Sequence, residues 1–139
     1  MLVGHSIGGL FVRLYASTHP TEVAGLVLVD ATNERLRELL TPEQYAWFTA
    51  SLELDDPTFE QIRVDASFDE MIRAEAAVPL RADLPVVVLS HGLDDPLPPE
   101  LNIPDLEGFY RAARAAQDDL AAHLPEARHV IAEQSGHYI

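Results

Sequence analysis

The sequence predicts an α/β fold built on a mostly parallel sheet, and two observations predict it. Apolar runs rich in β-branched residues lie at positions 23–29, 85–89 and 130–132. Such runs are typical of strands that are buried on both faces of a parallel sheet. Apolar residues at helical spacing separate the runs, and alternation of strands with helices is the order of parallel α/β proteins. We therefore expect an α/β domain.

Two amphipathic helices are predicted with clear ends. Apolar residues recur at intervals of three and four from position 8 to 17, and Pro20 stops this helix. A longer amphipathic helix is predicted over 106–124, because its apolar spacing continues until Pro125. Both helices therefore lie between predicted strands.

The segment between the first two long apolar runs carries further helix-start signals. Thr41 followed by a proline and then by Gln44 predicts a capping box. Ser67 with Glu70 predicts a second box, and the Asp-Pro pair at Asp56 predicts the start of a short helix between them. The sequence thus predicts a helical insertion in the α/β domain.

Composition excludes several classes of protein. The 139 residues suffice for about one domain, and nine basic residues against 23 acidic ones give a net charge of −14. This charge repels nucleic acid and anionic membranes. No apolar stretch approaches the roughly 20 residues that span a bilayer, and no signal peptide pattern opens the chain, so we expect a cytoplasmic protein without a membrane span. Without cysteine there is neither a thiolate nucleophile nor a Cys-type zinc site.

A GxSxG motif at the start of the chain predicts a nucleophile elbow. Gly4, His5, Ser6, Ile7 and Gly8 follow a strand fragment and precede the first helix. Side chains next to a serine on such a sharp turn obstruct the backbone, so glycines two before and two after it are a steric requirement. The amide of Ile7 at the helix start is placed to donate to an oxyanion. An ordinary glycine-rich turn is the alternative interpretation.

Candidate partners for the serine follow later strands. Asp94 and Asp95 come after the run at 85–89, and His137 comes after the run at 130–132. Asp30 ends the run at 23–29 and is a third candidate acid. Carboxyl ends of parallel strands meet at one edge of the sheet, where open α/β folds bind ligands. The order serine, acid, histidine along the chain is typical of one class of hydrolase.

These segments together resemble an α/β-hydrolase-fold serine hydrolase. The resemblance rests on GHSIGG, LVLVDAT, PVVVLSHGLDDP and HVIAEQSGHYI, which span the chain from end to end. It implies a partial α/β-hydrolase domain over residues 1–139, containing the fifth to eighth strands of the complete fold. The insertion at about 31–82 resembles the lid that follows the sixth strand. The first four strands have no counterpart in this sequence.

The resemblance also implies roles for the candidate residues. Ser6 is the nucleophile, His137 the general base, and Ile7 supplies an oxyanion amide. The spacing from Gly92 to Asp95 resembles the common family pattern, which favours Asp95 over Asp94 and Asp30 as the acid that orients His137. The expected chemistry is hydrolysis of a small-molecule ester, thioester or lactone through an acyl-enzyme, without metal or organic cofactor.

Two other functions stay open, namely a small-molecule-binding module and a non-catalytic fragment. The second follows from the short first strand and from the two residues after His137, which predict a piece of a longer hydrolase. We expect such a chain to be weakly active or inactive and to self-associate through an exposed sheet edge. Aromatic and sulfur side chains of the insertion either line an acyl pocket or hold the lid together: Tyr45, Trp47, Phe48, Phe59, Phe68 and Met71.

Overall fold

Four parallel strands form the sheet of the molecule. The structure is a computed structural model that describes residues 1–52, 64–97, 99–124 and 126–139. The strands are β1 (Leu2–His5), β2 (Leu26–Val29), β3 (Val86–His91) and β4 (Arg128–Ala132). They lie in the order β1-β2-β3-β4, and every neighbouring pair is parallel. The predicted α/β class is therefore confirmed, and the carboxyl ends of all four strands lie at one edge.

Helices connect the strands in the order that the sequence predicts. They are α1 (Gly8–Thr18), α2 (Leu36–Leu39), α3 (Pro42–Leu52), α4 (Val64–Ala77) and α5 (Leu106–His123). Three of them, α2 to α4, belong to the insertion between β2 and β3. No helix in the described parts of the chain is both long and apolar enough to cross a bilayer.

The central strands bury one face more deeply than the other. Leu26, Leu28, Val86 and Val88 are buried in one core cluster, to which α1 and α5 also contribute. The alternate residues of both strands are only half-buried. The predicted burial of both faces is therefore complete on one face and partial on the other, because α1 and α5 pack on the face that carries the leucines and valines of this cluster.

A second core cluster joins the insertion to the rest of the domain. Phe68 and Met71 of α4 are fully buried in it, together with Leu10 of α1 and Ala116 of α5. These two insertion side chains therefore hold the insertion onto the domain and do not line an acyl pocket. Phe59 and the helix start predicted at Asp56 lie outside the described residues.

The two predicted capping boxes have different outcomes. The Thr41 hydroxyl accepts a hydrogen bond from the Gln44 amide at 3.2 Å, and the Gln44 side-chain oxygen accepts one from the Thr41 amide at 3.0 Å. This reciprocal pair is the predicted box at the start of α3. Ser67 does not begin a helix, because α4 is already helical from Val64. Serine and glutamate at this spacing also occur inside helices, where the backbone is already bonded.

Replacing Thr41 should measure the contribution of the α3 cap. Thr41→Ala removes the hydroxyl that satisfies the Gln44 amide, and loss of such a cap costs about 1 kcal/mol of stability. Thr41→Ser keeps the hydroxyl and is the control. Urea unfolding should show a lower midpoint for Thr41→Ala than for Thr41→Ser, and equal midpoints would contradict the cap.

Candidate active site

Ser6 occupies a strained turn between β1 and α1. Its φ is 52°, in the left-handed region that costs a non-glycine residue roughly 1–3 kcal/mol. The turn is held by the Ser6 amide, which donates to Val29 O at 3.1 Å, and by the Ser6 carbonyl, which accepts from the Thr32 amide at 2.9 Å. Within the described residues the Ser6 hydroxyl makes no hydrogen bond, and Ser6 lines a cavity at the carboxyl edge of the sheet. This is the geometry of a nucleophile elbow.

The glycines around Ser6 differ in whether the structure leaves room for a side chain at their positions. A Cβ atom at Gly4 would lie 2.6 Å from Gly8 O and from Val12 Cγ2, so this position admits no side chain. A Cβ at Gly8 would meet nothing within 4 Å, so the expected steric requirement there is wrong. The close approach falls instead at Gly9, whose Cβ would lie 2.4 Å from that of Ala31. The helix packs against the segment after β2 through Gly9, a contact that no local motif predicts.

The amides at the start of α1 differ in whether they have an acceptor. The amides of Gly9 and Leu10 donate to the carbonyls of Ser6 and Ile7 at 3.0 and 3.1 Å. The amides of Ile7 and Gly8 donate to no acceptor among the described residues, and no side chain caps the helix. Free amides at a helix start favour negative charge. The position of Ile7 is thus compatible with the predicted oxyanion contact.

His137 follows β4 and lies in the same cavity as Ser6. Its Nδ1 donates to Asp30 Oδ2 at 2.5 Å, whereas its Nε2 makes no hydrogen bond within the described part of the chain. The residue before the serine secures this loop, because His5 Nε2 donates to the His137 carbonyl at 2.8 Å. The two rings also lie against each other, with centroids 4.6 Å apart. The elbow and the histidine loop are therefore directly linked.

Asp30 is a buried carboxylate held by two imidazoles. It is 5% exposed, has a φ of 42° and directly follows β2. One oxygen accepts from His137 and the other accepts from His91 Nδ1 at 2.7 Å. Burial alone would raise the pKa of Asp30, but the hydrogen bonds from His137 and His91 outweigh burial and hold the pKa well below its usual value. Asp30 is therefore an anion at neutral pH.

Asp95 does not make the contact that the sequence favours. Its carboxylate accepts a hydrogen bond from the His137 backbone amide at 2.6 Å, while Asp30 takes the imidazole. Asp94 is paired with Arg114 of α5. The loop that carries His137 extends from β4 across the strand ends as far as His5 of β1. β2 is the direct neighbour of β1, and their register places Asp30 beside Ser6, whereas Asp94 and Asp95 follow the next strand along.

The cavity that contains these groups has an apolar wall. Its volume is about 270 Å³, and the wall includes Leu36, Trp47, Phe48, Leu93, Phe109 and Ala113. Trp47 and Phe48 of α3 thus line the cavity as well as joining the insertion to the domain. A larger cavity, of about 480 Å³, contains none of the candidate site residues. The described residues hold no group of three or more His, Asp or Glu side chains placed to bind a metal ion.

Comparisons with known proteins agree with this architecture. The family model for the alpha/beta hydrolase fold matches residues 1–60. A probable hydrolytic enzyme from Pseudomonas aeruginosa PAO1 superimposes with a TM-score of 0.53 at 19% identity, over 97% of this chain and 56% of that enzyme. Est816, an N-acyl homoserine lactone degrading enzyme, gives 0.52 at 21% identity, over 97% of this chain and 59% of its own. No curated protein matches the sequence.

The chain spans less than two thirds of either solved structure. The family model covers the elbow, β2 and the start of the insertion, and the structural matches extend the likeness through β4. The parallel sheet, the strained serine between β1 and α1 and these matches lead to one conclusion: the chain belongs to the α/β-hydrolase fold.

Proposed function

We propose that this chain carries the site of a serine hydrolase that acts on ester-like bonds, namely carboxylic esters, thioesters or lactones. One observation carries the proposal. A serine in a strained elbow shares an apolar cavity with an imidazole whose Nδ1 is bound to a buried carboxylate. Serine hydrolysis needs this combination of an exposed hydroxyl, a base and a group that orients the base.

The chemistry follows from the roles of these groups. His137 takes the proton of Ser6 as the hydroxyl oxygen attacks the acyl carbon, and the Ile7 amide stabilises the negative charge on the carbonyl oxygen. The imidazolium then gives the proton to the leaving alcohol or thiol. Water releases the acyl group from Ser6 in the same manner. Asp30 keeps the His137 proton on Nδ1, so that Nε2 is free to act as the base.

Asp95 has a supporting role in this proposal. Its carboxylate accepts from the backbone amide of His137, so it positions the loop on which the imidazole is carried. The loop is thereby held by Asp95 at its amide and by His5 at its carbonyl. The assignment of the acid to Asp30 replaces the one that the resemblance favours.

The cavity wall favours substrates with a small apolar acyl group. Trp47 and Phe48 belong to the insertion at 31–82, which we propose is a lid that covers this part of the site. A lactone is included among the substrates because Est816, which has the same fold, degrades an N-acyl homoserine lactone. Labelling by a fluorophosphonate, which phosphonylates activated serines with loss of fluoride, tests the proposal. A site that binds esters without reacting at Ser6 is a binding module.

A second proposal concerns the free edge of β1. Among the described residues this strand is paired with β2 alone, its Val3 side chain is 61% exposed, and Phe11 on the adjoining α1 is 44% exposed. A strand edge without a partner, next to exposed apolar side chains, is a surface on which a strand of another chain can pair. We propose that a second copy of this chain covers the edge. We also expect slow turnover from the 139 residues on their own.

Self-association should respond to a charge on β1. Size exclusion with light scattering should show dimers or larger species for the unmodified chain, and Val3→Lys should raise the monomer fraction because charged edge strands resist pairing. Ile131→Lys is the matched control, since Ile131 is similarly exposed, at 55%, on β4 at the opposite edge. A monomeric unmodified chain, or an equal effect of both variants, would contradict the use of β1.

A further inference from the structure

His91 shares the carboxylate of Asp30 with His137, although the proposed chemistry gives His91 no role. Its side chain, at the end of β3, is only 9% exposed. Its Nδ1 lies 2.7 Å and its backbone amide 3.3 Å from Asp30 Oδ1. Each carboxylate oxygen therefore accepts from a different imidazole. His91 therefore fixes the Asp30 oxygen that does not bind His137.

The charged groups around His91 come from three elements. Asp30 faces its Nδ1 from the end of β2, and Asp94, in the turn after β3, lies 4.0 Å from its buried Nε2. Arg114 of α5 is paired with Asp94. Asp95, the next carboxylate along the turn, is bonded to the amide of His137. The surroundings of His91 thus contain more negative than positive charge.

These surroundings favour the protonated form of His91. The hydrogen bond to Asp30 raises the pKa of His91 above its usual value, and burial opposes this effect. A proton on His91 places a positive charge on the carboxylate that also binds His137. Two groups that interact in this way titrate together, and a charge on one ring disfavours a charge on the other.

We propose that His91 is a positioning residue that controls the protonation of His137 through Asp30. Its Nδ1 fixes the carboxylate, and a proton on His91 offsets part of the negative charge that His137 experiences. A proton on His91 therefore disfavours a proton on His137, the ring proposed to act as the base. The inference rests on the proposed role of His137 as the base.

Two substitutions separate the fixed hydrogen bond from the charge. His91→Asn keeps an N–H donor near the position of Nδ1 but cannot take a proton, whereas His91→Leu removes both. We expect the acid limb of the pH dependence of Ser6 labelling to move upward in His91→Asn by on the order of one pH unit, with the plateau rate kept within about threefold. His91→Leu should also lower the plateau, by roughly tenfold, because Asp30 loses a donor.

A measurement without catalysis keeps this inference distinct from the proposed hydrolase. In a Ser6→Ala background, imidazole nitrogen NMR should show that the titration midpoint of His137 rises when His91 is replaced by asparagine. In the Ser6→Ala chain with His91 intact, the His137 resonances should report the titrations of both rings. His129→Asn is the control, because His129 is bonded to Ser90 and not to Asp30.

Several results would overturn the inference. A single-step titration of His137 that is independent of His91, in the chain with His91 intact, would show that the rings are not coupled. This result can be obtained even when no variant folds. An unmoved His137 midpoint in a folded His91→Asn variant would show that His91 is only structural. An equal shift in His129→Asn would show that the effect is not transmitted by Asp30. If labelling at Ser6 fails while the two rings remain coupled, the hydrolase proposal alone is wrong.

Discussion

Ser6→Ala should abolish covalent labelling of this chain by a fluorophosphonate probe. Ser6 lines the cavity that also contains His137, so the probe should phosphonylate the Ser6 oxygen with loss of fluoride. Hydrolysis of a short nitrophenyl ester that depends on Ser6 should also disappear. Loss of a triad serine lowers kcat by on the order of 10⁶-fold in a complete enzyme. Mass spectrometry of the labelled peptide locates the adduct.

Ser90→Ala is the matched control for this experiment. Ser90 also has an imidazole within reach, since its hydroxyl lies 2.9 Å from His129 Nε2, but Ser90 is only 4% exposed. Contact between a serine and a histidine is therefore not enough for reaction with the probe, because the serine must also be accessible. The Ser90→Ala variant should be labelled at Ser6 to the same extent as the unmodified chain. Labelling that survives in Ser6→Ala, or that disappears in Ser90→Ala with the chain still folded, would contradict the assignment.

Among the asparagine substitutions of the three candidate acids, Asp30→Asn should cause the largest loss of reactivity at Ser6. An asparagine in this place can donate to His137 Nδ1, which shifts the ring proton to Nε2 and blocks the base. Such a tautomer error costs about 10⁴-fold in kcat in a serine protease. Asp95→Asn leaves the Asp30 contact in place and disturbs only the backbone amide of His137, so its effect should be smaller. The rate of Ser6 labelling as a function of pH measures both.

The comparison needs a carboxylate that does not touch His137. Asp94→Asn serves as this control, because Asp94 is paired with Arg114 and lies 4.0 Å from His91. For Asp94→Asn we expect a modest shift in the acid limb of the pH dependence of Ser6 labelling, and a labelling rate at the plateau that equals that of the unmodified chain. A larger loss for Asp95→Asn than for Asp30→Asn would return the acid to the turn after β3, as the GxxD spacing favours.

Local patterns were sufficient for most elements of the fold. Runs of β-branched residues predicted β2 to β4 within a few residues, and α1 and α5 begin where the spacing predicts. The capping box at Thr41 was predicted from four residues, because its two hydrogen bonds are local. The similar pattern at Ser67 gave a wrong prediction of a helix start. Such a local pattern does not show whether the preceding backbone is already helical, as it is from Val64. The four-residue helix α2 carries too few residues for a periodic signal.

The sequence by itself predicted the sharp turn at Ser6, the position of Ile7 at the start of α1 and the edge of the sheet at which Asp30, Asp95 and His137 lie. Only the tertiary structure decided which carboxylate meets His137. Asp30 and His137 are 107 positions apart, and their contact depends on the loop after β4, which crosses the strand ends and bonds to Asp95 and His5 as well. The second imidazole on Asp30 and the close approach at Gly9 depend on the same long-range packing. Residue spacing along the chain predicts local geometry. Hydrogen bonds between residues at the ends of different strands form only when the sheet has assembled, so spacing does not predict them.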